Sequence, residues 1–240
     1  MKPEKDKKQG VSAVIVAAGS GTRMGGISKP EIVLGGKPLL IRVLDAFLQS
    51  EVTEIVIVCG SNRQNLEALV PNDLPKPVKF CDGGKTRTES VFYGVDATDR
   101  NNVFVCVHDC ARPFVTPEII ETVVSAAKEQ GAATACHPVT DTVKYVDTEH
   151  SLIYTPKRQY LLAIQTPQVF RKDQYTVAYA LASKAKEAYT DETAMLEAAG
   201  VKVAYPVCPA SNRKITTKED LQLARAMLFL EEQERKKEQS

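Results

Sequence analysis

The 240 residues suffice for one sizeable α/β domain, expected over 11–230, and leave little room for a second. Lys plus Arg total 31 against 30 Asp plus Glu, a formal net charge of +1, so no global field favours nucleic acid or an anionic membrane and any anion site must be local. No apolar run approaches a membrane span. The six cysteines lack a Cys-x-x-Cys pair and sit mostly in apolar strand-like runs of a chain without a signal peptide, which argues against a disulfide framework and against structural zinc. Buried thiols in a reducing compartment are expected instead: the cytoplasm, or a plastid-like stroma if a transit peptide has been removed.

Residues 1–10 are charged and lack apolar periodicity, which predicts a flexible leader. Val11 to Val16 is a short apolar, partly β-branched run, the pattern of a strand buried on both faces of a parallel sheet. It ends in AAGSGTRMGG, where Gly19 and Gly21 lack a Cβ and let backbone N–H groups approach an anion closely. A Walker A loop is excluded because no lysine stands in the segment. A dinucleotide fingerprint is excluded because Met24 occupies the place of its third glycine. The loop carries Arg23 instead, whose fixed charge and forked donors suit charge developing on a transferring phosphoryl group.

The spacing of Leu39, Leu40, Val43, Leu44 and Phe47 predicts a helix over 38–49, followed by a strand at 54–58, a crossover helix at 62–69 and a strand at 78–81. GGKTRTESV turns from loop into helix near Arg87. The unpaired N–H groups of that helix start, with Arg87 and Ser90, predict a second anion grip. A further buried strand, 103–107, delivers HDCARP to the carboxyl edge of the sheet, where open α/β sheets place ligands. Asp109 and Arg112 therefore fall at the functional edge, Asp109 beside a magnesium ion or a substrate hydroxyl because a carboxylate next to phosphate needs an intervening cation.

Beyond it the pattern predicts a helix at 118–130 and a strand at 132–137. Residues 141–165 then form an extended hairpin arm without an intervening helix. Helices are expected at 172–186 and 193–199, a strand at 201–207, a last helix from Thr217, and a solvated flexible tail at 231–240. No internal repeat is present.

The motifs occur in a fixed order: AAGSGTRMG, SKPEIVLGGKPLL, GGKTRTESV, VHDCARP, DTVK, QTPQVF, TDET and NRKIT. Together they resemble the nucleotidyltransferases that activate sugar and polyol phosphates, and among these the 2-C-methyl-D-erythritol 4-phosphate cytidylyltransferase family, over roughly residues 11 to 225. The resemblance implies a Rossmann-like, mostly parallel sheet flanked by helices, with a protruding β-arm. It also implies transfer of a cytidylyl group from CTP to methylerythritol phosphate with release of pyrophosphate, a step of isoprenoid precursor synthesis.

By position, the resemblance assigns CTP to Ala17, Ala18, Gly19, Gly21, Arg23, Lys29, Gly84, Arg87 and Ser90, with Arg23 and Lys29 stabilising the pentacoordinate phosphorus. It places the polyol phosphate among Asp109, Arg112, Thr142, Arg158, Thr166, Thr190 and Lys214. Mg²⁺ would be held mainly by the CTP phosphates, with Asp109 as its candidate protein ligand. A homodimer would form through the arm and deliver Arg158 to the partner's site.

Because a phosphate nucleophile needs no proton removed at neutral pH, His108 reads as a packing or loop-orienting residue. Two departures stand out. Ser28, Lys29 and Pro30 replace the usual Pro-Lys-Gln, so that Pro30 should bias Lys29 toward extended backbone, and Arg213 replaces an apolar residue beside Lys214. A pentitol phosphate such as ribitol 5-phosphate is the nearest alternative acceptor, and a non-catalytic nucleotide-binding regulator is the alternative of another class.

Overall fold

The computed structural model describes residues 9–19, 28–186 and 189–238. In chain order these form β1 (Val11–Val16), β2 (Val33–Leu34), β3 (Lys37–Pro38), α1 (Leu39–Gln49), β4 (Glu54–Cys59) and α2 (Arg63–Leu69). Next come β5 (Val78–Asp82), α3 (Arg87–Asp96), β6 (Phe104–Asp109), α4 (Pro117–Gln130) and β7 (Ala132–Pro138). The chain continues through β8 (Tyr145–Val146), β9 (Leu152–Tyr154), β10 (Leu162–Arg171), α5 (Lys172–Ala185), α6 (Glu192–Ala198), β11 (Val203–Ala204) and α7 (Lys218–Glu238).

The main sheet has seven strands in the order β11-β7-β10-β6-β1-β4-β5. β1 lies between β4 and β6 and is parallel to both, and β5 extends the parallel set beyond β4. β10 runs antiparallel between β6 and β7. Alternation along each central strand sends side chains to opposite faces. Val11, Ala13 and Ile15 join a core with α1 and α4, whereas Val14 joins one with α3, α5 and α6. α7 closes a third, smaller cluster in which Ala224 and Leu228 cover Leu34, Leu39 and Ile215.

Register fixes what emerges at the carboxyl edge. Val16 of β1 pairs with Val58 of β4 on one side and with Asp109 of β6 on the other, so the segments after these strands leave the sheet side by side. Gly83, which follows β5, lies so close to this bundle that a Cβ would stand 2.7 Å from Ala18 Cβ and 2.9 Å from Ser90 Oγ.

Three expectations are corrected. Residues 162–165 belong to β10, where Leu162, Ala163 and Ile164 pair with β7, so the separate hairpin is only β8–β9, whose residues are all exposed. The strand expected at 201–207 shrinks to Val203–Ala204 plus an isolated bridge between Val207 and Cys136. The charge run expected as a tail from 231 continues α7 to Glu238, since its residues are good helix formers. The expected leader lies largely outside the described residues.

Helix α3 approaches β1 and β4 through Gly94, where a Cβ would fall 2.5 Å from Val14 Cγ1 and 2.7 Å from Val58 Cγ2. Gly94→Ala would gain about 0.5–1 kcal/mol in an unconstrained helix, yet overpacking of a filled core costs about 1–3 kcal/mol. Packing wins in a fully buried site. The variant is expected to unfold at lower urea than the parent, and an equal or higher midpoint would contradict this contact.

Candidate active site

The carboxyl ends of β1, β5 and β6 enclose a cleft of about 500 Å³. Its walls include Ala17, Ala18 and Gly19 after β1, Lys29 and Pro30, Gly84 to Arg87 with Ser90 at the start of α3, Asp109 to Ala111 at the end of β6 and just beyond it, and Lys214. The cleft thus gathers most of the positions expected to serve the nucleotide, together with Asp109 and Lys214. Gly21 and Arg23 lie outside the described residues. Lys29 opens a short 3₁₀ turn ahead of Pro30, and it is Ser28 that is extended, so the expected bias falls one residue earlier. The Lys29 amine donates to the Ile215 carbonyl at 3.1 Å.

Asp109 is the electrostatic centre of the cleft. Its Oδ1 accepts from Arg87 Nε and Nη2 at 3.2 and 3.1 Å, and its Oδ2 accepts from Lys214 Nζ at 2.6 Å. Burial alone would push this carboxyl up. The Arg87 and Lys214 charges, with the Lys214 hydrogen bond, more than offset burial and hold Asp109 well below the usual carboxylate range. Arg87 Nη1 also reaches both carboxylate oxygens of Glu192, at 2.8 and 3.0 Å. Glu192 is 2 % exposed, and burial raises its pKa although Arg87 opposes the shift.

The start of α3 is not the open anion grip that the sequence suggests. Thr86 and Glu89 form a capping box, and the Glu89 carboxylate accepts from the N–H groups of Lys85 and Thr86 at 2.7 and 3.1 Å. Ser90 Oγ accepts from Gly84 N–H at 3.0 Å and donates to the Thr86 carbonyl at 2.8 Å, so it shapes the glycine wall. A carboxylate already stands where a phosphate was expected, and the guanidinium of Arg87 is committed to Asp109 and Glu192.

HDCARP is held by a buried relay. The Arg112 carbonyl, 3.1 Å from His108 Nε2, can only accept, so in the neutral ring Nε2 carries the proton and Nδ1 accepts from the Thr166 hydroxyl at 3.0 Å. Thr166 Oγ1 in turn accepts from Asp109 N–H at 3.1 Å. The His108 ring also packs 5.5 Å from that of Phe47. His108 therefore orients the loop. Thr166, expected at the substrate, serves this relay from within the irregularity that interrupts β10–β7 pairing between Ile164 and Gln168.

Arg112 likewise braces two loops, donating from Nη1 to the Asn212 carbonyl at 3.0 Å, while Ile215 N–H donates to the Ala111 carbonyl at 2.8 Å. These bonds bring NRKIT against HDCARP and aim Lys214 at Asp109. Neither Arg112 nor Thr166 lines the cleft, nor do Thr142, Arg158 and Thr190, which are exposed. Arg158 Nη1 donates to the Thr140 carbonyl at 2.5 Å.

The donor set bears on the metal. Among the described residues no group of three or more His, Cys, Asp or Glu side chains could cage an ion. Asp109 is the carboxylate that lines the cleft, and each of its oxygens already faces a cation. Among the described residues the site therefore offers Mg²⁺ no protein cage, which fits an ion carried mainly by the phosphates of a ligand, a mode common for this metal. Two buried residues passed over in the sequence, Glu192 and Gln168, belong to the network: Gln168 Oε1 accepts from the N–H groups of Glu192 and Thr193 at 3.1 and 3.2 Å. The signal was an acidic residue at the start of a helix whose next turn, Met195 and Leu196, is buried.

Burial lowers the His108 pKa from 6.5 to about 4. Between those values the unfolded chain binds the proton that the folded one refuses, so this contribution leaves stability full above 6.5 and reduces it as pH falls toward 4. Glu192, raised above 4.5, slopes the opposite way, which makes the imidazole itself the direct reporter. Imidazole nitrogen spectra should show His108 neutral and Nε2-protonated at pH 6 and below, until about pH 4; titration near 6.5 would break the relay.

Comparisons with known proteins agree with this geometry. The family model for 2-C-methyl-D-erythritol 4-phosphate cytidylyltransferase matches residues 11–230. The protein of that name from Alkaliphilus metalliredigens is 38% identical over 91% of this chain and 92% of its own length. The one from Caldanaerobacter subterraneus subsp. tengcongensis is 40% identical over 91% and 98%. Among solved structures, the 4-diphosphocytidyl-2C-methyl-D-erythritol synthase of Anaerococcus prevotii superposes with a TM-score of 0.84 at 31% identity, covering 92% of this chain and 96% of the other. The cytidylyltransferase of Thermus thermophilus gives 0.76 at 32%, covering 91% and 98%. With the family model matched over residues 11–230 and these relatives 38% and 40% identical over 91% of the chain, the chain belongs to the 2-C-methyl-D-erythritol 4-phosphate cytidylyltransferase family.

Proposed function

We propose that this chain transfers a cytidylyl group from CTP to 2-C-methyl-D-erythritol 4-phosphate, giving 4-diphosphocytidyl-2-C-methyl-D-erythritol and pyrophosphate. The observation that carries the reading is the single cleft in which a small-residue wall, Ala17 to Gly19 and Gly84, faces the Lys29, Asp109 and Lys214 cluster within a chain of this family. An oxygen of the acceptor phosphate attacks the α-phosphorus of CTP. The new P–O bond forms as the bond to the bridging oxygen breaks, and pyrophosphate leaves with that electron pair.

Bringing these anions into line is the main barrier, so the residues act by positioning and by charge. We place the pyrimidine against Gly84, where the Glu89 carboxylate disfavours phosphate and backbone groups can read an exocyclic amine against a carbonyl. The phosphates then run toward Gly19 and Lys29. Lys29, with Arg23, is assigned to the charge that grows at the α-phosphorus. Mg²⁺ bound to the triphosphate would neutralise part of its charge and of the pyrophosphate's. Lys214 and Asp109 are assigned to the acceptor. The reducing compartment expected for the chain agrees with its six free thiols, five of them buried.

Thr142 and Arg158 need another explanation, because they are exposed around a hairpin that buries little of itself. Tyr145, Leu152, Ile153 and Tyr154 are 55%, 60%, 55% and 52% exposed, and a lone two-stranded hairpin is marginally stable in water. A second copy of the chain would cover it. We assign the hairpin to a two-fold homodimer in which Arg158 serves the partner's cleft.

Pyrophosphate release should be fastest with CTP and methylerythritol phosphate, slower with ribitol 5-phosphate, and weak with UTP or ATP; equal turnover across nucleotides would remove the cytidylyl assignment. Lys29→Ala should lower kcat by about tenfold to a thousandfold with a smaller change in the KM for CTP. If only KM rises, Lys29 binds the ground state and the transition-state role is wrong.

The crossed dimer predicts complementation. Folded, nearly inactive Lys29→Ala and Arg158→Met subunits, once exchanged, should regain activity, because one site of each heterodimer receives both intact residues. Exchanged mixtures that stay inactive would place Arg158 in its own chain's site or in none.

A further inference from the structure

A chain of alternating charges runs from α6 into the cleft. Glu192 grips one nitrogen of Arg87 through both carboxylate oxygens, Arg87 donates from its other two nitrogens to Asp109 Oδ1, and Lys214 takes Oδ2. The guanidinium is thus divided between two carboxylates. Its fork geometry would allow it to chelate Asp109 with two parallel bonds, one to each oxygen, and that arrangement would compete with Lys214 for Oδ2. That fork, Nε with Nη2, already faces Asp109, so where the guanidinium stands decides that both of its bonds fall on Oδ1, and Glu192 fixes that position by gripping Nη1 on the opposite side. Glu192 is itself fixed, since Gln168 Oε1 accepts from its N–H and from that of Thr193.

A buried ion pair contributes little net stability compared with well-packed apolar residues of the same shape, whereas removing one partner leaves an uncompensated charge. Stability therefore gives no reason for a carboxylate 2% exposed at this place. Direction does. We propose that Glu192 is a positioning residue for the acceptor half of the reaction: by anchoring Arg87 with its fork on Oδ1 it keeps the other oxygen of Asp109 for Lys214, and so holds the Lys214 amine where it meets the polyol phosphate. Arg87 acts in the same relay and does not bind the nucleotide phosphates. The inference rests on the reading of the cleft as a site for CTP and a polyol phosphate.

The test separates the two substrates. Glu192→Gln keeps the shape and an acceptor oxygen but loses the charge, and it should raise the KM for methylerythritol phosphate about tenfold or more while the KM for CTP stays within about twofold. A general loosening of the fold would move both. Arg87→Lys, which cannot span the two carboxylates, should show the same one-sided loss and carries the test if Glu192→Gln fails to fold. The double variant should be no worse than the poorer single one, as expected for residues acting through one relay. Equal rises in both KM values, an unchanged acceptor KM, or additive losses would each overturn the inference. A parent protein without turnover would remove it together with the reading on which it rests.

Discussion

The placement of one buried carboxylate organises the cleft. Asp109 ends the central strand β6 with its side chain 9% exposed, a position in which an unpaired charge would be intolerable. Arg87 from α3 and Lys214 from the segment before α7 make it tolerable, and in doing so they bind three distant parts of the chain to one point. Each partner has its own support: the capping box starts α3 at Arg87, Ile215 ties the Lys214 segment to Ala111, and Glu192 fixes the far side of Arg87. The shape of the cleft around Asp109 is therefore a consequence of solving the desolvation of that carboxylate.

Glycine and small residues make that convergence sterically feasible. Gly94 lets α3 lie directly on Val14 and Val58, and Gly83 lets the loop after β5 touch Ala18. Were either contact looser, the first turn of α3 would stand farther from β6 and Arg87 could not reach Asp109 while also reaching Glu192. Packing precision in the layer below thus sets hydrogen-bond geometry in the cleft above, and a filled core transmits such shifts. The His108 relay plays the corresponding part beneath Asp109, using a neutral imidazole to join the backbones of residues 109 and 112 through Thr166.

The parts legible in the sequence were those governed by local pattern. The apolar runs of β1, β4 and β6 and the spacing in α1 and α4 reported the layers directly, because buried strands and amphipathic helices are written in contiguous residues. The edge location of Ala17, Gly84 and Asp109 followed from where those runs end. Partnership was much less legible. Arg87 read as part of an anion grip because a helix start presents unpaired N–H groups to which it adds donors, and its commitment to Glu192 spans 105 residues of separation that no local pattern encodes. Thr166 and Arg112 are placed at the acceptor by the resemblance, and the bonds they make here brace loops: polar residues in a site motif can hold either the ligand or the loop that holds it. The YLLAIQ segment looked like half of an arm because its alternation fits any strand, and only pairing with β7 decides which sheet receives it.

Charge accounting explains why so much of this polar machinery faces inward. Around Asp109 three cations, Arg87, Arg112 and Lys214, meet two carboxylates, Asp109 and Glu192, so the cluster carries only a small positive excess. A site that held several uncompensated cations would attract phosphate strongly but would bind substrate and transition state alike, which lowers KM without accelerating the reaction. Pairing the cations with fixed carboxylates limits indiscriminate anion binding and leaves their donors oriented in advance. The opposite wall is built differently, with backbone groups, small side chains and the amine of Lys29. On the proposed reading the cleft separates two tasks: the Asp109 cluster would supply direction for the incoming acceptor, while the charge that grows at phosphorus would fall to the lysine across from it.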